Sequence, residues 1–416
     1  MRAFVAGSPP AIRRHNRTAV LDTIREHGPI SRLDISQITR LTPASVTNIV
    51  SELIADGYVA EVGPGVSFTA GRRPILIDLL PASVLVAGVD IRPAGVTIIL
   101  ADVRATVLCR STLSLPQDPD PMDSLDRIAV QIRDLLAAQG HTVQDLRGIG
   151  VGAVGLVDSV TGVNLYAASL GWHNVAIAAE LTARLGAPVA VDNNVRTIAV
   201  AEQLFGLGQD IADLLVFYVG AGGIGSGLVV GHEVFRSNKH YAGEIGHMIV
   251  VPGGQKCSCG SYGCLDTVAS GRVLVERARA RAALNGDSAL NDLVARGELT
   301  VENVMRAASS GDDAAHTIVC EATEYLGLAL ANLVNVLNPE LVVLAGPIIH
   351  GGDTVIECIR SVVQRHSYVA RTMGLSSIRF TSFGEHAAIR GAAALALDRF
   401  FYNPEENNNP STRSNP

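Results

Sequence analysis

The sequence predicts an α/β protein: an N-terminal winged helix-turn-helix followed by a layered α/β body. Two observations carry this. Residues 12–80 read as three short helices and a hairpin, and from Leu85 onward aliphatic runs alternate with helical periods. The composition agrees, with 48% hydrophobic residues, 4% aromatic residues and 41 glycines in 416. That is the texture of buried parallel strands, in a chain long enough for two or three domains.

Each element of the head has a local signal. In RTAVLDTIREHG, Val20, Leu21 and Ile24 share one helical face, and Gly28 stops the helix. Ser31 is placed to cap a second helix, with Asp34 three residues on in a capping-box arrangement. Thr42 caps the third, which Pro43 opens. Its apolar face is Val46, Ile49, Val50, Leu53 and Ile54, ending at Gly57. YVAEVGPGVSFTAGRRPILIDLL alternates and turns at glycines, giving a β-hairpin. Residues 1–11 and the tail 403–416 are expected to be disordered.

The body follows the same logic. VLVAGVDIRPAGVTIILADVRATVL gives two strands joined by a turn. DLRGIGVGAVGLVD and APVAVDNN add strands, with the helix NVAIAAELTARLG between them. LLVFYVGAGGIGSGLVVGHEVF is a glycine-interrupted strand pair, and ATEYLGLALANLVNVLNPELVVLAG a long helix entering a buried strand.

Charge is uneven. Residues 1–80 hold 9 Arg, no Lys and 7 Asp+Glu, a net +2; the remaining 24 Lys+Arg and 33 Asp+Glu give −9. A basic head on an acidic body is compatible with nucleic-acid contact by the head alone. No secretory leader is visible in MRAFVAGSPPAIRRHN, and no apolar segment approaches the ~20 residues of a membrane helix. The expected compartment is the cytoplasm, where clustered cysteines favour a metal over a disulfide.

At the start of the third helix stand the small polar residues Thr42, Ser45, Thr47 and Asn48, where a recognition helix meets base edges and phosphates. The hairpin tip AGRRP offers Arg72 and Arg73 to a minor groove or to phosphates. A helical protein-interaction module with a solvated arginine pair is the competing reading. If the head binds DNA, its small footprint calls for a dimer on paired half-sites.

GEIGHMIVVPGGQKCSCGSYGCLD, from Gly243 to Asp266, holds half of the six cysteines. His247, Cys257, Cys259 and Cys264 have the spacing H-x9-C-x-C-x4-C, a closed Cys3His shell for a structural tetrahedral zinc. Unrelated reduced thiols or a labile disulfide are the alternatives. Glu244 and Asp266 bracket the cluster, either as sugar-hydroxyl acceptors or as solvated loop acids.

GEIGHM and CSCGSYGCLD resemble the ExGH and CxCGxxGCxE signatures of the ROK family of sugar-responsive repressors and sugar kinases. The resemblance covers about residues 12–400. It implies a two-lobed actin-like ATPase body of sugar-kinase type, with lobes at 81–200 and 201–402 and the last helix returning to the first lobe. It also implies sugar contacts from Glu244 and His247, the latter doubling as a zinc ligand, and from Asp266, here one methylene shorter than the family's Glu. Asp192 matches the kinase base and Asn194 the following Asn, whereas Val191 replaces a sugar-binding Asn. Gly155 matches the glycine turn over the sugar. The family's kinases open on DxGxT; here DIRPAG places Arg92 for Gly, Pro93 without an N–H, and Ala94 for Thr. The expected function is a sugar-responsive DNA-binding regulator, acting as a repressor of carbohydrate genes. Zinc is its cofactor, a sugar or sugar phosphate its effector, and a homodimer or homotetramer its assembly. The alternative is an ATP-dependent hexose kinase carrying a DNA-binding head, with Asp192 as its base.

Overall fold

The structure, a computed structural model, describes residues 9–65, 73–237, 241–284, 288–374 and 377–404. The head comprises α1 (Pro9–His27), β1 (Ile30–Ser31), α2 (Arg32–Thr39), α3 (Pro43–Ala55), β2 (Val59–Pro64) and β3 (Ile75–Leu79). Helix α1 starts at Pro9, inside the stretch expected to be disordered. Proline suits a first helical turn, where its missing N–H would have no partner anyway. The remainder of that stretch, residues 1–8, lies outside the described residues, as do the hairpin tip 66–72 and tail residues 405–416. Ser31 Oγ accepts the Asp34 N–H at 3.2 Å, and Thr42 Oγ1 accepts that of Ser45 at 3.2 Å. The strands pair antiparallel in the order β1-β3-β2, which makes the wing.

The body opens with β4 (Leu85–Arg92), β5 (Gly95–Ala101), β6 (Val107–Leu113), α4 (Pro121–Ala138), β7 (Leu146–Ala153), β8 (Leu156–Asp158), β9 (Val163–Ala167), β10 (Trp172–Val175), α5 (Ile177–Leu185), β11 (Val189–Asn193) and α6 (Asn194–Phe205). Five strands form one sheet in the order β11-β7-β4-β5-β6, with β7 and β11 parallel to β4 and an antiparallel meander from β4 to β6. The small sheet β8–β10 lies beside it.

Next come β12 (Leu214–Val219), β13 (Ile224–Val230), β14 (Glu233–Val234), α7 (Asp266–Ala269), α8 (Gly271–Ala282), α9 (Ala289–Ala295), α10 (Val301–Ser309) and α11 (Asp313–Leu337). The chain closes with β15 (Leu341–Ala345), α12 (Gly352–His366), α13 (Tyr368–Met373), β16 (Ser377–Phe380) and α14 (Ala387–Leu397). The second sheet runs β14-β13-β12-β15-β16. Helix α11 has the length and mean hydropathy of a membrane span. Ala315, Ile318, Val319, Ala322, Leu326 and Leu330 bury that apolar surface in the second lobe instead.

Helices α6 and α14 lie between the two sheets. Helix α14 comes last in sequence but packs on β4 and β7 of the first lobe. Gly150 makes this approach possible, since a Cβ there would lie 1.9 Å from the Ala392 carbonyl oxygen. The head shares this packing: Val20, Ile24, Ile35 and Leu53 belong to one apolar cluster with Val86, Ile99, Ala393, Phe401 and Tyr402. The Tyr402 hydroxyl donates to the Val103 carbonyl at 2.8 Å, and Tyr58 meets Phe401 edge-on at 4.9 Å.

Candidate functional site

The loop after β14 brings together His247, Cys257, Cys259 and Cys264, whose donor atoms all lie within 4.8 Å of one another. Cys259 and Cys264 Sγ are 3.7 Å apart, and Cys257 Sγ is 3.6 Å from His247 Nδ1. A tetrahedral metal with ~2.3 Å bonds to sulfur and ~2.0 Å to nitrogen sets these edges at about 3.8 and 3.5 Å, so the donor set fits one ion. The loop folds back through bridges pairing Ile249 with Cys264 and Lys256 with Tyr262. Without metal the thiols differ: the Ser261 backbone N–H favours the Cys259 thiolate, whereas burial pushes Cys264 up to about 12. A bound dication would deprotonate both.

Glu244 and Asp266 stand beside this cluster. Burial raises both carboxyl groups above their ordinary range, against the lowering influence of His247 on each. Asp266 Oδ1 accepts the Ile224 N–H at 2.8 Å, so this acid also pins the glycine loop between β12 and β13. Gly246 passes close to the same carboxylate; a Cβ there would lie 2.5 Å from Oδ1. The ExGH stretch and the closing acid therefore form one unit in space.

Asp192 is the penultimate residue of β11 and is fully buried. It is occupied from both sides: Arg196 Nε reaches Oδ1 at 2.6 Å, and Arg236 Nε reaches Oδ2 at 2.9 Å. Burial alone would raise this carboxyl, but the two guanidinium groups outweigh it and hold it below the ordinary carboxylate range. Arg196 also donates to the Val157 carbonyl at 3.0 Å and the Ala242 carbonyl at 3.3 Å, linking both lobes. Neither arginine was singled out from the sequence. Arg196 had a signal, the i,i+4 acid–base spacing from Asp192; Arg236, distant in sequence, had none. Asn194 is buried as the first residue of α6, while its neighbour Asn193 caps that helix. Asn193 Nδ2 also donates to the carbonyl of Gly155 at 3.0 Å. Gly155 has φ +88°, and a Cβ there would meet the Tyr166 carbonyl at 2.2 Å, so the turn requires glycine.

The DIRPAG turn is filled by its own arginine. Arg92 Nε bonds to Asp90 Oδ2 at 2.6 Å, and Nη1 to the Tyr218 hydroxyl at 2.7 Å. Its guanidinium also lies 5.5 Å from the Tyr218 ring centroid. This places a cation within the turn between β4 and β5.

On the head, the cap residue Thr42 and, on α3, Thr47 and Asn48 are exposed, and Ser45 is half-buried. Three hydroxyls already have local work: those of Thr42 and Ser45 lie 2.9 Å apart at the cap, and Thr47 Oγ1 donates to the Pro43 carbonyl at 2.8 Å. Arg73 is exposed at the base of the wing, and Arg72 lies outside the described residues.

Residues 86–399 match the profile of the ROK family, and residues 13–60 match a winged helix-turn-helix DNA-binding profile. The chain is 29% identical to the xylose repressor of Caldicellulosiruptor bescii, over 96% of this chain and 99% of that one. It is 30% identical to the DNA-binding transcriptional dual regulator NagC of Escherichia coli, over 94% of each. A solved ROK family transcriptional regulator, described as a homolog of the E. coli MLC protein, superposes with a TM-score of 0.77 at 28% identity, covering 94% of this chain and 97% of that one. A winged DNA-binding head, an actin-like two-lobed body and the ExGH and cysteine signatures thus coincide in one chain, which belongs to the ROK family.

Proposed function

We propose that this protein is a sugar-responsive transcriptional repressor of carbohydrate genes, working on DNA in the cytoplasm. The observation that carries it is the continuous apolar core joining the winged head to a kinase-type body whose phosphate turn is filled by Arg92. Near-full-length similarity to a xylose repressor supports the same reading. A sugar or sugar phosphate enters the cleft beside Glu244, His247, Asp266, Gly155 and Asn194. Asp192 lies beneath them and meets the sugar only if its arginines yield.

His247, Cys257, Cys259 and Cys264 hold one structural zinc. When bound, the ion supplies folding free energy to the loop that carries Glu244 and Asp266, and keeps His247 turned toward both. The closed four-ligand shell leaves no position for substrate, so the metal orders the site without catalysing. Thr42, Ser45, Thr47, Asn48, Arg72 and Arg73 contact DNA, and a homodimer or homotetramer presents paired heads to paired half-sites. A ligand shifts DNA affinity only as far as it prefers one lobe arrangement over the other.

A thermal-shift screen of free sugars and sugar phosphates, followed by DNA binding with each hit, tests this. The expected result is one hit that changes DNA affinity. Retention of no DNA fragment under any condition would overturn the repressor reading.

A further inference from the structure

The junction of head and body converges on Arg25. This residue lies in the last turn of α1 and is 4% exposed. Its Nη1 donates to the Leu204 carbonyl, and its Nη2 reaches Glu26 at 2.6 Å and Asp22 at 3.5 Å. The guanidinium lies 5.4 Å from the Tyr402 ring centroid and 5.9 Å from that of Phe205. Leu204 and Phe205 end α6, where carbonyls lack intrahelical donors and the helix dipole is negative. Arg25 therefore caps α6 from another part of the chain, sharing the Leu204 carbonyl with Gln209 Nε2, which donates to it at 3.0 Å. Arg104 fastens the wing to the same point, donating to the Arg25 carbonyl at 3.1 Å and to Asp78 in β3.

The opposite end of α6 is the Asp192 cluster. Asn193 caps it by accepting the N–H groups of Val195 and Arg196 at 2.9 and 3.4 Å. From Arg196 to Leu204 is eight residues, about 12 Å of helix. The helix contains no glycine or proline, and nearly all its residues are buried. Glu202 is held by the Thr381 hydroxyl and, at 3.2 Å, by the Ser382 N–H. Gly391 of α14 lies so close that a Cβ there would be 2.7 Å from the Thr197 carbonyl. A close-packed rod of this kind transmits movement instead of bending.

We infer that Arg25 is the positioning residue through which the state of the Asp192 cluster reaches the DNA-binding head. Helix α6 is the strut, with Arg196 and Arg236 gripping Asp192 at one end and Arg25 gripping the helix terminus at the other. A ligand that draws Arg236 or Arg196 off Asp192 moves the strut, and Arg25 carries the movement into α1 and β3. Its use in gene control rests on the repressor reading above, but the coupling itself does not.

Amide hydrogen exchange on the full-length protein tests the coupling without any sugar or operator. Arg236→Gln releases one side of Asp192 and leaves the head's own residues untouched. It is expected to change exchange in residues 18–31 and 75–79 by roughly 2- to 30-fold, the span of couplings carried by packed elements. In an Arg25→Met background the same substitution should add nothing there. Should Arg25→Met fail to fold, Arg25→Lys, which keeps the charge but loses the planar fork, should weaken the response. Asp192→Asn is the second perturbation at the far end. A merely structural Arg25 would lower stability yet leave the added effect of Arg236→Gln intact, and that result overturns the inference. So does unchanged head exchange in both Arg236→Gln and Asp192→Asn. Loss of DNA or sugar binding by the wild-type chain would instead sink the repressor reading and leave the exchange result standing.

Discussion

Asp192 and Arg196 face each other across the junction of β11 and α6, 2.6 Å from Oδ1 to Nε, with neither side chain more than 2% exposed. The acid expected to meet a sugar hydroxyl is therefore already neutralised from the first turn of the helix that follows it, and Arg236 completes the grip from beyond β14. A kinase base must accept a proton from the acceptor hydroxyl. A carboxylate held by two guanidinium groups below its ordinary range is a weak base. Charge sensing suits this cluster better than proton transfer.

Asp192→Asn should cost about 3–5 kcal/mol of stability, because it leaves the buried Arg196 and the half-buried Arg236 without their counter-charge. The pH dependence has a definite sign. Asp192 is depressed in the folded state despite burial, so its contribution is complete above the unfolded carboxylate range. It is lost as pH falls through ~4 and below. Thermal unfolding of wild type and variant between neutral and acid pH checks this: the gap between them should narrow on acidification. A constant gap would argue against the ion pairs.

Purified protein should carry about one zinc per chain, and Cys259→Ser should lose it with a fall in Tm. Cys259 is the exposed thiol of the cluster, so the substitution leaves no buried cavity, and the loss reads the metal itself. Elemental analysis after chelator-free, reducing purification is the measurement. Absence of metal would remove the assignment.

Gly150→Val should be among the most damaging substitutions in the first lobe. Its side chain would enter the space of the Ala392 carbonyl, 1.9 Å from the Cβ position, and push α14 off β7. Overpacking usually costs about 1–3 kcal/mol, and backbone in the way should bring this case to the upper end or beyond. Denaturant unfolding checks it, with the exposed Gly222→Val as control, since nothing lies within 4 Å of a Cβ at Gly222 and its φ is not left-handed.

The head and the strand runs of the body were legible because each element has a local cause: Ser31 and Thr42 cap in the structure as their positions suggested. The spacing of His247, Cys257, Cys259 and Cys264 likewise brought out a cluster that converges in space. Other contacts were not legible, because they pair residues far apart in the chain. Nothing near Arg236 points to Asp192, and nothing near Arg25 points to Leu204, 179 residues later. The early start of α1 was missed because prolines that usually break a helix are tolerated in its first turn.

Asn48→Ala should relax sequence preference at particular base pairs, while Arg73→Ala should weaken DNA binding across sequences and flatten its salt dependence. Asn48 is exposed on α3, whereas Thr47 is bonded back to Pro43 and is expected to contribute less. Arg13, Arg17 and Arg32 are paired on the surface with Glu52, Asp56 and Glu61. Binding isotherms at several salt concentrations, on matched and scrambled sites, separate the two effects. Equal behaviour of both variants and wild type would rule out this face.

The remaining prediction concerns phosphoryl transfer, which depends on holding phosphates in line with the acceptor hydroxyl. Arg92 fills the turn where backbone N–H groups would surround phosphate, and it is held by Asp90 at 2.6 Å and Tyr218 at 2.7 Å. Pro93 contributes no amide donor. For ATP to bind as in a kinase, Arg92 would have to leave, stranding the Asp90 carboxyl, which burial already raises. Sugar binding without ATP-dependent phosphorylation is therefore expected. Arg92→Gly should not restore activity, because Pro93 and the arginine-gripped Asp192 both remain. A coupled assay with each sugar that binds settles it. Turnover near the ~1 s⁻¹ or more usual for enzymes, abolished by Asp192→Asn, would mean that the arginines leave Asp192 during the cycle and that the chain is a hexose kinase with a DNA-binding head.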